Sequence, residues 1–275
     1  MPSSARPVDA RPIGVFDSGV GGLTVARALM DLLPDERIVY FGDTARGPYG
    51  PRDLDEVRAF TAEIVDWLSR AGVKLAVAAC NTATAAAIHP APLSFPVPVV
   101  GVIEPAVVAA ARATRNGRVG VIGTQGTVAS GAYDRAVAET APDVKLLSRA
   151  CPRFVELVEA GRTTDPEVLE VAADYLAPLV AGDVDTLILG CTHYPLLTGV
   201  LSHLLGPGVV LVSSAEATAR RVFDQLVSSG LLAAAGRGGH RFVSSGDGAE
   251  FARLAERFLG PRVTDADIDV LGWGA

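Results

Sequence analysis

Two stretches of the chain share one pattern of apolar and polar positions. In Val73-Lys74-Leu75-Ala76-Val77-Ala78-Ala79-Cys80-Asn81-Thr82-Ala83-Thr84 an apolar run stops at a polar pair. In Val184-Asp185-Thr186-Leu187-Ile188-Leu189-Gly190-Cys191-Thr192-His193-Tyr194-Pro195 a second run ends in a Cys followed by Thr. A parallel strand buried on both faces reads as continuous apolar residues rather than as alternating ones. Small polar residues where such a strand passes into its helix line sites at the carboxyl edge of the sheet.

Around these runs, apolar strands alternate with helical periodicity. Ile13 to Phe16 reads as a first strand and Asp17 to Gly22 as its turn. Leu23 to Leu33 reads as a helix, because Leu23, Ala26, Leu29, Met30 and Leu33 recur at helical spacing. Arg37 to Gly42 is a second strand, and Leu54 to Ala71 a helix with Asp53 as its N-cap. Gly47, Pro48, Gly50 and Pro51 punctuate the loop between them. After Cys80 a helix runs from Thr82 to Ile88, and Val97 to Val102 forms a further strand. Lys74, at the start of its strand, reads as a solvated residue. The pattern then restarts with a strand at Arg118 to Gly123, a turn at Thr124 to Thr127 and a helix on to Thr140. Lys145 to Leu147 is a short strand, Cys151 to Glu159 and Pro166 to Val180 are helical, and Val209 to Val212 is a strand. Ala215 to Ser229 is a helix, Arg241 to Ser245 a strand and Ala249 to Leu259 a helix. The acidic stretch from Thr264 to Ala275 reads as loosely ordered.

Strands alternating with helices predict parallel sheets. Each half offers a Gly-Val strand with a small polar turn, then a strand ending in Cys, which is a weak internal repeat. The predicted fold class is therefore α/β, with two pseudo-symmetric doubly wound parallel-sheet domains and the active site in the cleft between them. The first domain takes residues 13–103 plus 213–275, the second takes 104–212, and 1–12 form a flexible N-terminus.

Net charge of −7 argues against a general nucleic-acid binder, which carries a basic face. Val97 to Ala111, the strongest apolar candidate, is interrupted by Pro98, Glu104 and Pro105, so no membrane span is expected. The first twelve residues lack the apolar core of a signal peptide. Three cysteines, an odd number, fit reduced thiols in a cytoplasmic protein better than a disulfide framework.

Two cysteines from two similar halves, facing across a cleft, suggest chemistry with near-mirror symmetry. Inverting a stereocentre requires removing a proton from one face of a carbon and returning one to the other. Thiols suit both tasks, since an ordinary thiol pKa needs only modest tuning to operate near neutrality. Taken together, Asp17-Ser18-Gly19-Val20-Gly21-Gly22-Leu23-Thr24, Gly42-Asp43-Thr44-Ala45-Arg46, Pro48-Tyr49-Gly50, Ala79-Cys80-Asn81-Thr82-Ala83-Thr84 and Gly190-Cys191-Thr192-His193-Tyr194-Pro195 resemble the glutamate racemases. Those are cofactor-independent enzymes that supply D-glutamate for peptidoglycan. The resemblance runs in order from about Ile13 to Leu259. It departs at Gly47, where the family often has Cys.

The resemblance implies Cys80 and Cys191 as the two bases, the first serving D-glutamate and the second L-glutamate. It implies that Asp17, Ser18, Tyr49, Gly50, Asn81, Thr82, Thr124, Thr127, Thr192 and His193 contact substrate. Asp17 and His193 would also orient and tune the thiols, with Asp43 and Glu159 behind them. Donors aimed at the developing carbanion and its carboxylate would do the work of an electron sink. No cofactor is implied: neither pyridoxal phosphate, nucleotide nor metal. Homodimers are usual among such proteins, and some are credited with a side interaction with a topoisomerase.

Other readings remain. Gly19-Val20-Gly21-Gly22 lacks the spacing of a phosphate loop. Cys80, Cys191 and His193 lack zinc-ligand spacing. Cys151, before Pro152 at a helix start, reads as buried structure. The chain can also be read as a racemase for another acidic amino acid, or as a non-catalytic binder of one, although a binder has no need of two thiols.

Overall fold

The computed structural model describes residues 9–88, 93–233, 239–260 and 267–272. Strands and helices alternate as β1 (Ile13–Asp17), α1 (Leu23–Leu32), β2 (Ile38–Gly42), α2 (Leu54–Arg70), β3 (Leu75–Ala78), α3 (Asn81–Ala87), β4 (Val99–Gly101) and α4 (Ile103–Ala113). The chain continues through β5 (Arg118–Gly123), α5 (Gln125–Ala129), α6 (Ala132–Thr140), β6 (Lys145–Ala150), α7 (Arg153–Glu159), α8 (Pro166–Ala181), β7 (Thr186–Gly190), α9 (Thr198–Leu205) and β8 (Val210–Ser213). It ends with α10 (Ser214–Ser229), β9 (Arg241–Ser244), α11 (Gly248–Leu259) and β10 (Ile268–Val270).

Two all-parallel sheets result. One has the order β10-β9-β2-β1-β3-β4 and the other β6-β5-β7-β8. The inner strands β1, β2, β3 and β7 are buried along their whole length, which is why they read as unbroken apolar runs. Two of the longer helices start at a carboxylate cap. Asp53 caps α2 by accepting from the Asp55 amide at 2.8 Å, and Asp165 caps α8 ahead of Pro166. Among the described residues no helix is long and apolar enough to cross a membrane.

The structure corrects several expectations. Ile103–Ala113 is a helix that periodicity did not suggest; Pro105 falls in its first turn, where proline is tolerated because the lost N–H has no partner. The helix expected to run unbroken to Thr140 is two, parted at Gly131, whose left-handed φ of 65° starts α6. The segment after Tyr194 forms a 3-10 turn and then α9, which periodicity did not suggest. In the acidic tail Ile268–Val270 is a strand, since an edge strand needs only backbone partners; residues 264–266 and 273–275 lie outside the described residues.

Lys74 is not solvated. Its side chain is buried, ion-paired with the equally buried Glu36 at 2.6 Å, and its ammonium donates to the carbonyls of Asp9 (3.0 Å) and Leu231 (2.7 Å). Glu36 accepts in turn from the Ala233 amide at 2.9 Å. The pair thus ties residue 9 and the segment beyond α10 to the amino edge of the first sheet. Asp9 to Pro12 are held there, whereas residues 1–8 of the expected flexible terminus lie outside the described residues.

Removing one charge of such a pair leaves the other buried without a counter-charge. Lys74→Met is expected to lower the unfolding free energy by about 3–5 kcal/mol, and Lys74→Met with Glu36→Leu to recover most of that loss. Urea denaturation of the three proteins measures both.

Candidate active site

The carboxyl ends of β1 and β3 in one sheet and of β5 and β7 in the other converge on a cavity of about 140 Å³. It is small against the roughly 300–1,000 Å³ of clefts for drug-sized ligands. Ser18, Tyr49, Gly50, Asn81, Thr82, Thr124, Thr192 and His193 line it together with Cys80 and Cys191. A larger groove, of about 550 Å³, lies between α1, α10 and α11 and contains none of these residues. The smaller cavity is the candidate site, because both strand-end cysteines and a convergent set of polar side chains meet there.

Each cysteine sits where its strand gives way. Cys80 is the N-cap of α3, its Sγ 3.5 Å from the Ala83 amide and 3.9 Å from the Ser18 hydroxyl. Burial first, then the neighbouring Asp17 charge, pushes the Cys80 thiol up to about 12, against the pull of those two donors. Cys191 lies 3.9 Å from His193 Nδ1, and His193 Nε2 is 2.9 Å from Glu159 at the end of α7. Burial opposes charge on His193, but Cys191 and Glu159 outweigh it and raise the imidazole to about 10. The two sides of the cavity therefore differ: a cysteine beside a carboxyl group on one, a cysteine beside a histidine on the other.

Asp17 is fully buried behind the cavity wall rather than on it. It accepts from the Gly19 amide at 3.2 Å and lies 3.5 Å from the Thr192 hydroxyl. Burial raises its carboxyl, and His193 and the Gly22 and Gly19 amides pull it back down. It acts on both sides at once, and its pairing is not confined to Cys80. Thr127 is also buried, in a three-way hydroxyl contact with Thr82 (3.1 Å) and Thr124 (3.0 Å) that joins the two sheets. The Tyr49 ring is fully buried against Phe60, and its hydroxyl donates to Asp43. Asp43 is held as well by Arg46 (2.8 Å) and Ser245 (2.7 Å), so it shapes the Pro48-Tyr49-Gly50 loop from behind.

Gln125, Pro152, Val155 and Glu156 also line the cavity, and sequence reasoning missed them. Their α7 neighbour Glu159 was the only hint that this helix lies over the site. Tyr133 was missed too; its hydroxyl donates to Asn81 at 2.7 Å across the cleft. Cys151 is buried, 3.6 Å from the Arg149 carbonyl, and does not line the cavity. Among the described residues no group of three or more His, Cys, Asp or Glu side chains is placed to hold a metal ion.

Two parallel sheets presenting one cysteine each to a shared cavity define a racemase-like α/β enzyme. Residues 23–222 match the Asp/Glu/hydantoin racemase family, and the chain belongs to it. Within that family it groups with the glutamate racemases. The glutamate racemase of Beutenbergia cavernae is 56% identical over 267 residues, 92% of this chain and 91% of the relative. A glutamate racemase isoform from Bacillus anthracis superposes with a TM-score of 0.90 at 42% identity, covering 95% of this chain and 97% of that one. The Francisella tularensis glutamate racemase, solved in complex with D-glutamate, gives 0.87 at 33% identity over 96% and 98%.

His193 carries a pH signature. Its folded value lies above its ordinary one, so the stability it contributes is full below about pH 6.5 and lost as pH rises through about 10. The unfolding free energy of wild type minus that of His193→Asn is expected to shrink across that window. Denaturant titrations from pH 6 to 10 check it.

Proposed function

We propose that this chain interconverts L- and D-glutamate, with Cys80 and Cys191 as the two proton-transferring groups. The observation that carries the reading is their placement: each follows the end of an inner strand of a different sheet, and both line one small cavity. The D-glutamate held by the Francisella relative supports the substrate.

Cys191 as thiolate takes the α-proton from L-glutamate on one face. Its charge is matched beforehand by the imidazolium of His193, which Glu159 steadies from behind. Cys80, kept as a thiol by burial and by Asp17, then gives its proton to the opposite face of the carbanion. The sum is inversion with one proton lost and one gained, leaving Cys191 protonated and Cys80 as thiolate, set for the reverse direction. The hydroxyls of Thr82, Thr124 and Thr192 and the Asn81 amide are donors for the substrate carboxylates, which carry the charge that develops as the proton leaves. D-glutamate made in this way would serve peptidoglycan assembly, the role implied by the family resemblance.

Circular dichroism of L- and D-glutamate incubated with the protein tests the reading, with aspartate as the competing substrate. A protein that leaves both glutamate enantiomers unchanged, or that acts only on aspartate, sinks it. Cys80→Ser and Cys191→Ser are each expected to lower racemisation by about 10²–10⁴-fold or more. Cys151→Ala is expected to stay active, with a stability loss of roughly 1 kcal/mol.

A further inference from the structure

Asn81 follows Cys80 directly, lines the cavity and is almost fully buried. Its Oδ1 accepts the hydroxyl of Tyr133, a residue of α6 on the opposite side of the cleft, at 2.7 Å. Its Nδ2 is buried and has no hydrogen-bond partner within the protein. A buried amide nitrogen left in this way is costly unless something answers it. The same Tyr133 ring packs against Gly190, the residue before Cys191. A Cβ placed on Gly190 would come within 2.7 Å of the Ile122 carbonyl and 3.2 Å of Tyr133 Cε2, so the backbone beside it requires glycine, and the ring packs closely against it. One side chain thus touches the segments that carry both cysteines.

We infer that Tyr133 is a positioning residue: by donating to Asn81 Oδ1 it turns the two Nδ2 hydrogens toward the cavity, as donors for a substrate carboxylate. The inference rests on the proposed glutamate chemistry for the identity of that carboxylate. Its physical basis is the two-fold choice open to an amide. With Tyr133 donating, the cavity faces two N–H groups. With the amide turned over, Tyr133's hydroxyl hydrogen loses its acceptor and a carbonyl oxygen faces the incoming anion. Tyr133 makes the first arrangement the stable one before substrate arrives, and the ring against Gly190 holds the hydroxyl in place.

Tyr133→Phe removes the hydroxyl and keeps the ring. It is expected to raise KM for both enantiomers of glutamate about five- to tenfold, the worth of one buried hydrogen bond, with kcat changed by less than about twofold. In an Asn81→Ala background the same change is expected to add nothing further to KM. Asn81→Asp keeps the acceptor for Tyr133 but presents oxygen to the cavity, and KM is expected to rise more steeply than in Tyr133→Phe. A purely structural tyrosine would instead lower the unfolding midpoint and act additively with Asn81→Ala. An unchanged KM in Tyr133→Phe, an additive effect with Asn81→Ala, or an unchanged KM in Asn81→Asp each overturns the inference.

Wild-type racemisation of glutamate is recorded first. Its absence sinks the proposed function, and the inference is then decided by NMR titration with glutamate. The side-chain NH₂ pair of Asn81, identified by its loss in Asn81→Ala, is expected to shift in the wild type and to stay put in Tyr133→Phe. No shift in the wild type, or an equal shift in both, overturns it.

Discussion

Everything at the site depends on the hydrogen bonds that cross the cleft between the two sheets. Thr82 meets Thr124 and Thr127, the Gly126 amide donates to the Gly50 carbonyl at 2.9 Å, Thr24 donates to the Thr192 carbonyl at 3.3 Å, and Tyr133 reaches Asn81. Buried polar groups are costly unless satisfied, so each bond is worth most when the sheets stand at one separation. That separation is also the one that sets a thiol on either side of a single small cavity. The spacing of the reactive groups and the stability of the closed cleft are therefore one quantity.

The difference between the two sides follows from the same geometry. Cys80 has an uncharged amide and hydroxyl beside it and a carboxyl group nearby, whereas Cys191 has an imidazole backed by a half-exposed glutamate. Two similar strand–turn units thus deliver unlike acids. Asp17, touching Thr192 from the other sheet, links the halves electrically, so that a proton moving on one side is felt on the other.

Much of this was legible in the sequence because its causes are local. A strand buried on both faces must read as an apolar run, and a cysteine that ends one must lie at the sheet edge. Both statements need only neighbouring residues. What was not legible depends on distant partners. Lys74 reads as solvated until Glu36 and the Leu231 carbonyl are brought to it. Tyr133 shows no chemistry in its own helix; its partner lies 52 positions away. The helix Ile103–Ala113 went unread because a proline in its first turn looks, in the sequence, no different from one that ends a helix. The lining by Pro152, Val155 and Glu156 depends on where α7 is laid across the cavity, which no local pattern states.

The route of the chain through its sheets bears on how it comes off the ribosome. Strand β2 bonds on its outer side to β9, and the facing side chains Thr44 and Ser244 are 200 positions apart. The four strands of the second sheet, by contrast, are contiguous in the chain. During synthesis the first-made strands must wait, with the β2 edge bare, while the later-made sheet closes ahead of them. An uncovered strand edge invites pairing with other chains. The nascent protein is therefore most exposed to misassembly in its oldest part, and the interval lasts until β9, near the chain's far end, has emerged.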